Sequence, residues 1–106
     1  MSDIPSLLSR VRAASGPDRE LDADIWRALC WEHHSHEIAK GTPFTGSIDA
    51  AVALVERALP EWCYSIGKNC AIMWDDERIV ETEAASNALA LIAALLAALE
   101  QKESAG

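Results

Sequence analysis

Apolar residues at helical spacing predict three helices before Pro60, with breaks at Gly16 and Pro17 and an aperiodic loop over residues 33–46. The third helix has the clearest start, because Ser47 is a good N-cap. The predicted buried faces are Leu7, Leu8 and Val11 in the first helix, Leu21, Ile25, Ala28 and Leu29 in the second, and Ile48, Val52, Val55 and Leu59 in the third.

Alternating apolar and polar residues after Pro60 predict a three-stranded antiparallel meander. Turns are expected over residues 67–69 and 75–78. The side chains predicted to face the core are Trp62, Tyr64 and Ile66 in the first strand, Ile72 and Trp74 in the second, and Val80 and Thr82 in the third. Glu81 and Glu83 would then point to the opposite face of the sheet.

The last predicted helix has a leucine-rich face and an alanine face. At 100° per residue, a broad arc of leucine and isoleucine from Leu89 to Leu99 would cover the sheet. The opposite face, which is Ala90, Ala93, Ala94 and Ala97, carries no charge, so another helix is expected to approach it closely. Three interpretations follow: packing under the first or second helix of the same chain, a homodimer interface, or simply exposed alanine.

These elements predict an α+β fold in the order α-α-α-β-β-β-α, with the long C-terminal helix on a small sheet. A chain of 106 residues fits a single domain, spanning residues 1–106. Within it we expect a helical N-terminal part over residues 1–46 and a helix-meander-helix core over residues 47–103.

Charge is the strongest compositional signal: 17 acidic against 9 basic residues give a net charge of −8. That sign opposes direct binding of nucleic acid and of anionic membranes. A predicted acidic surface consists of Asp75, Asp76, Glu77, Glu81 and Glu83, opposed locally only by Arg78. It either guards the sheet edge against aggregation or binds a basic surface on another protein.

Candidate chemistry is sparse. Residues 30–36 place Cys30 close to His33, His34 and His36, and Cys30 with His33 and His36 could supply three ligands of a zinc site. The competing interpretation is a structural thiol followed by histidines at a helix end. With no phosphate-binding glycine motif and no catalytic motif, we predict no catalytic residue, no cofactor and no enzyme activity.

The three cysteines do not form a disulfide framework, and no secretory signal is recognisable near the N-terminus, so the expected location is the cytoplasm of a bacterial host. The longest uncharged stretch, residues 84–99, is shorter than the roughly 20 residues that span a bilayer. It is therefore expected to be a buried helix.

Three stretches carry a resemblance: GPDRELDADIWRAL (16–29), FTGSIDAAVALVERALPEWCYSIG (44–67) and ETEAASNALALIAALLAAL (81–99). Together they resemble the phage αβα-sandwich domain family, small proteins encoded by phages and prophages. The resemblance implies a layered sheet with helices and a phage origin, and it implies no activity. Members usually carry a longer strand-rich insert where this chain has only residues 33–44.

From size, acidity and this resemblance we expect a non-enzymatic phage or mobile-element accessory protein that binds a host protein with a basic surface. An anti-CRISPR-like inhibitor of a CRISPR-Cas subunit or nuclease is the specific expectation. Two alternatives stay open. One is an assembly oligomer built through the alanine face, and the other is a small metal-dependent protein using Cys30 and the histidines.

Overall fold

A computed structural model describes residues 4–31, 38 and 41–105. It confirms the predicted α+β class, the order of helices and strands, and the packing of the C-terminal helix on the sheet. The elements are α1 (Ile4–Ala13), α2 (Arg19–Trp26), a π-helical turn (Arg27–Trp31), α3 (Ile48–Ala58), β1 (Cys63–Gly67), β2 (Cys70–Trp74), β3 (Ile79–Glu83) and α4 (Asn87–Ala105).

Polar side chains begin two of the helices. The Asp18 carboxylate accepts a hydrogen bond from the Leu21 N–H at 3.0 Å and caps α2. The Ser47 hydroxyl accepts one from the Ala50 N–H at 3.3 Å, which confirms the predicted start of α3. Each cap satisfies an N–H group that has no partner within its own helix.

The sheet is an antiparallel meander in the order β1-β2-β3. Gly67 pairs with Cys70, so only two residues form the first turn, and Asn69 takes a left-handed φ of 56° that asparagine tolerates. The Asn69 N–H donates to Asn87 Oδ1 at 2.6 Å. This bond holds the β1–β2 turn against the first residue of α4.

The length of the β1–β2 turn determines which side chains of β2 point into the core. Cross-strand partners share a face, and because Gly67 and Cys70 are partners, Ala71 and Met73 point into the core. The prediction that Ile72 and Trp74 face the core was wrong: Ile72 is only half-buried and Trp74 is exposed. The prediction for β3 is confirmed, since Val80 and Thr82 are buried and Glu81 and Glu83 are exposed. At the first strand Trp62, just before β1, is buried, and Tyr64 and Ile66 point to the same side but are only half-buried.

Helix α4 lies at the centre of the molecule. It packs against β2 and β3 on one side and against α1 and α3 on the other. Ala90, Ala93 and Ala94 have 0% exposure, so the alanine face serves the packing of this chain and offers no surface to a second copy. The prediction of an oligomer interface on these alanines is corrected accordingly. Ala97, the fourth alanine of the predicted face, is half-buried. The Thr82 hydroxyl donates to the Ala90 carbonyl at 2.8 Å, which joins sheet and helix.

The buried face of α3 matches the prediction only in part: Val55 and Leu59 are buried as predicted, but Ile48 and Val52 are not. Ala51, Leu54 and Val55 are buried, whereas Ile48 is 37% exposed and Val52 is half-buried. The inward face is therefore rotated toward Ala51, and α3 packs against α4. Among the described helices, none is both long enough and apolar enough to cross a membrane.

The end of the aperiodic loop is built into the core. Phe44 and Thr45 are buried, and the Thr45 N–H donates to the buried Asp22 carboxylate at 2.8 Å. The Asp18 N–H donates to the Thr45 hydroxyl at 2.8 Å. Residues 44–45 are thus fastened to the start of α2, although no periodic pattern marks them in the sequence.

Candidate functional site

The outward-facing side chains of the sheet form three cross-strand rows, which we call the outer face. The register places Cys63, Trp74 and Ile79 in the first row, Ser65, Ile72 and Glu81 in the second, and Gly67, Cys70 and Glu83 in the third. Every one of these residues is exposed or half-buried, since α4 packs on the other side of the sheet. The outer face therefore changes from apolar to acidic along the third strand.

The first row is the apolar part of the outer face. Trp74 is 36% exposed and Ile79 is 66% exposed, and with Ile48 they are the exposed large hydrophobic residues of the described chain. Cys63, the third member, is an exposed free thiol. Adjacent exposed apolar side chains of this size are typical of surfaces that contact another molecule.

The β2–β3 turn at the end of this row is organised by Asp75. Its Oδ1 accepts hydrogen bonds from the Glu77 N–H at 3.0 Å and the Arg78 N–H at 2.7 Å. Its Oδ2 accepts one from Arg78 Nη2 at 3.0 Å. Loss of solvent raises the pKa of Asp75, but these three hydrogen bonds outweigh it, so the pKa lies below its usual value.

Arg78 is also held from its other side. Its guanidinium lies over the Trp62 ring, 5.5 Å from the centroid, a geometry that favours cation–π attraction. A cleft of about 260 Å³ lies beside this contact, bounded by the end of α3, Trp62, the turn and Lys102. Arg78 is therefore occupied by Asp75 and Trp62, and the turn exposes little positive charge.

The remaining acidic residues of the predicted surface are Asp76, Glu77, Glu81 and Glu83, and all are exposed. Within the described part of the chain, none of them pairs with a lysine or arginine. The structure thus brings four of the five predicted residues to the turn and the outer face as free carboxylates, while Asp75 builds the turn. Sequence reasoning missed Trp74 and Ile79, and the two-residue β1–β2 turn is the signal that would have placed Trp74 outward.

The cysteine and histidine cluster cannot be placed in the same way. His33, His34 and His36 lie outside the described residues, as does the side chain of Cys30. Among the residues that are described, no group of three or more His, Cys, Asp or Glu side chains could hold a metal ion.

Replacing Asp75 by alanine is expected to lower the melting temperature at neutral pH, because two backbone N–H groups and Arg78 lose their acceptor. Since folding lowers the pKa of Asp75, the wild-type advantage exists above the ordinary carboxyl pKa of about 4 and disappears as pH falls through the folded-state pKa. Thermal melts across pH should show the two curves converging in acid. Asp76→Ala, at an exposed neighbouring position, is the control, and a constant gap between wild type and Asp75→Ala at all pH values would contradict this role.

No protein-family model, no curated protein and no solved structure matches this chain.

Proposed function

We propose that this protein acts without catalysis, by presenting its outer face to a basic surface on another protein. The observation that carries the proposal is the arrangement of the rows: Trp74 and Ile79 lie at one end, and the carboxylates of Glu81 and Glu83 follow on the same strand. An aromatic residue within an apolar patch and a charged border are the two parts of a typical protein interface.

The negative charge of the outer face and the turn indicates what kind of partner can bind there. Glu81 and Glu83 on the outer face and Asp76 and Glu77 in the turn are four exposed carboxylates in a chain with a net charge of −8. They repel nucleic acid and attract a basic protein surface, and the attraction weakens as salt screens it. A groove that normally holds nucleic acid has the required positive charge.

The resemblance to phage αβα-sandwich proteins supplies the biological class of partner. A phage or mobile-element protein of this kind, acting in the host cytoplasm, would inhibit a host defence complex by occupying the nucleic-acid-binding surface of a CRISPR-Cas subunit or nuclease. The inhibition would be stoichiometric, since the proposal assigns no reaction to the chain.

The test is a plaquing assay in bacterial strains that each carry one active CRISPR-Cas or restriction system directed against the infecting phage. Expression of the protein is expected to restore plaquing in at least one strain, and the double variant Glu81→Lys, Glu83→Lys is expected to lose that effect. The matched control is Asp49→Lys, Glu56→Lys, which changes the net charge equally at exposed positions of α3, a helix that packs against α4 rather than on the outer face. Trp74→Ala should weaken binding to the purified target by about 2 kcal/mol, the effect of removing an aromatic anchor.

Three outcomes would contradict the proposal. Plaquing could stay unchanged in every strain, which would contradict the proposed inhibition of a host defence complex. The outer-face double variant and its control could behave alike, which would contradict the assignment of the outer face as the binding surface. Binding to the purified target could also be insensitive to salt, which would contradict the electrostatic contribution.

A further inference from the structure

The two edges of the sheet differ in how they are protected. Strand order places β1 at one edge and β3 at the other. Edge strands commonly carry charged residues or proline that discourage pairing with another chain. β3 carries Glu81 and Glu83, whereas β1 has the sequence CYSIG, with no charge and no proline. The β1 edge is therefore the unguarded one.

The hydrogen-bonding pattern identifies which β1 groups are free. The Asp75 N–H donates to the Arg78 carbonyl at 2.9 Å, so by alternation β2 bonds to β3 through Ala71 and Met73 and to β1 through its other residues. The N–H and C=O groups of Tyr64 and Ile66 consequently point away from β2. Within the described chain, the backbone hydrogen bonds outside helices and strands include none from these two residues.

The inner face of β1 is also incompletely covered. Helix α4 packs across β2 and β3 and contacts β1 least. Tyr64 and Ile66, which point to the α4 side, are only half-buried, whereas their neighbours Ala71 and Met73 on β2 are fully buried. A further strand beside β1 would extend the apolar inner face and cover these two side chains.

We propose that two copies of this chain pair through β1, antiparallel about a two-fold axis at Ser65, to form one continuous sheet of six strands. In this register Tyr64 exchanges both backbone hydrogen bonds with the second copy's Ile66, and Ile66 does the same with the second copy's Tyr64. The two Ser65 residues lie opposite each other, and Cys63 lies opposite the second copy's Gly67. All of these side chains are neutral, and on the outer face they are small enough for close strand approach.

A second copy suits this edge despite the net charge of −8 on each chain. The carboxylates of the outer face lie on β3, at the opposite edge of the sheet. In the six-stranded sheet the two β3 strands are five strand spacings apart, about 24 Å, and their repulsion is screened over a Debye length of about 8 Å. On the inner face, each Tyr64 and Ile66 pair adds an aromatic and β-branched contact.

The experiment is sedimentation velocity on the full chain over about 1 µM to 1 mM, the range in which a small interface of this kind associates. Wild type is expected to show a concentration-dependent dimer. Ser65→Lys places like charges opposite each other at the two-fold axis and should weaken dimerisation roughly tenfold. Ile79→Lys adds the same charge at the exposed β3 edge and should dimerise as wild type does. Unchanged circular dichroism and melting temperature would show that both variants are folded.

A cross-linking variant tests the register itself. In a background with Cys30→Ser, Cys63→Ser and Cys70→Ser, Ser65→Cys brings two thiols to directly opposed positions, where strand spacing permits a disulfide. Oxidation should yield a covalent dimer well above the level given by Glu81→Cys in the same background. A wild type that stays monomeric over the whole range, a Ser65→Lys variant that dimerises like wild type, or equal cross-linking by the two cysteine variants would each overturn the proposal.

Discussion

Replacing Phe44 by alanine is expected to lower the free energy of unfolding by about 3–5 kcal/mol, the usual cost of emptying a large buried aromatic site. Phe44 has 0% exposure and belongs to the cluster of buried residues that forms the core of the described chain. The cavity would be hard to refill, because the adjacent Thr45 is fixed by hydrogen bonds to Asp22 and Asp18. For a domain whose total stability is about 5–15 kcal/mol, this loss is a large share.

Urea denaturation followed by tryptophan fluorescence measures this loss. The control is Ile79→Ala, which removes an apolar side chain that is 66% exposed and should change stability by no more than about 0.5 kcal/mol. If Phe44→Ala stayed within about 1 kcal/mol of wild type, residues 44–45 would not form part of the core.

Replacing Ala93 by glutamate should destabilise the protein by about 3–5 kcal/mol, the cost of an uncompensated charge in the interior. Ala93 has 0% exposure on a helix that is packed against both the sheet and other helices. The matched variant is Ala97→Glu one turn further along, at a half-buried position, where the carboxylate can reach water.

Thermal unfolding and oligomeric state should be measured together for these two variants. We expect Ala93→Glu to melt far below wild type or fail to fold, and Ala97→Glu to remain folded with a modest loss. A folded Ala93→Glu variant with wild-type melting temperature would mean that the alanine face is not buried within the chain, and would restore the interface interpretation.

Local signals predicted much of the fold. Ser47 marked the start of α3, and the alternation around Val80 and Thr82 marked the two faces of β3 correctly. These predictions succeeded because a cap and a period of two depend only on residues that are neighbours in the chain. The acidic residues Glu81 and Glu83 were placed on the outer face by the same reasoning.

The misplaced features depend on geometry that neighbouring residues do not encode. The face of β2 follows from the length of the β1–β2 turn, and a one-residue difference there moved Trp74 from the predicted core to the outer face. Residues 88–99 of α4 are apolar on every side, so their pattern could not distinguish burial within the chain from burial between chains. Asp75 could be recognised as acidic, but its role in the turn required the backbone positions of Glu77 and Arg78.

The packing of α1 against α4 has a consequence for synthesis. The ribosome makes α1 before every other described element and α4 after them, so among these elements the helix at the centre of the core is the last to emerge. Until then the apolar faces of α1 and α3 have no partner to cover them, which is the state in which nascent chains are most prone to aggregate. A chain stalled on the ribosome before Asn87 would therefore lack the helix against which α1, α3 and the sheet pack.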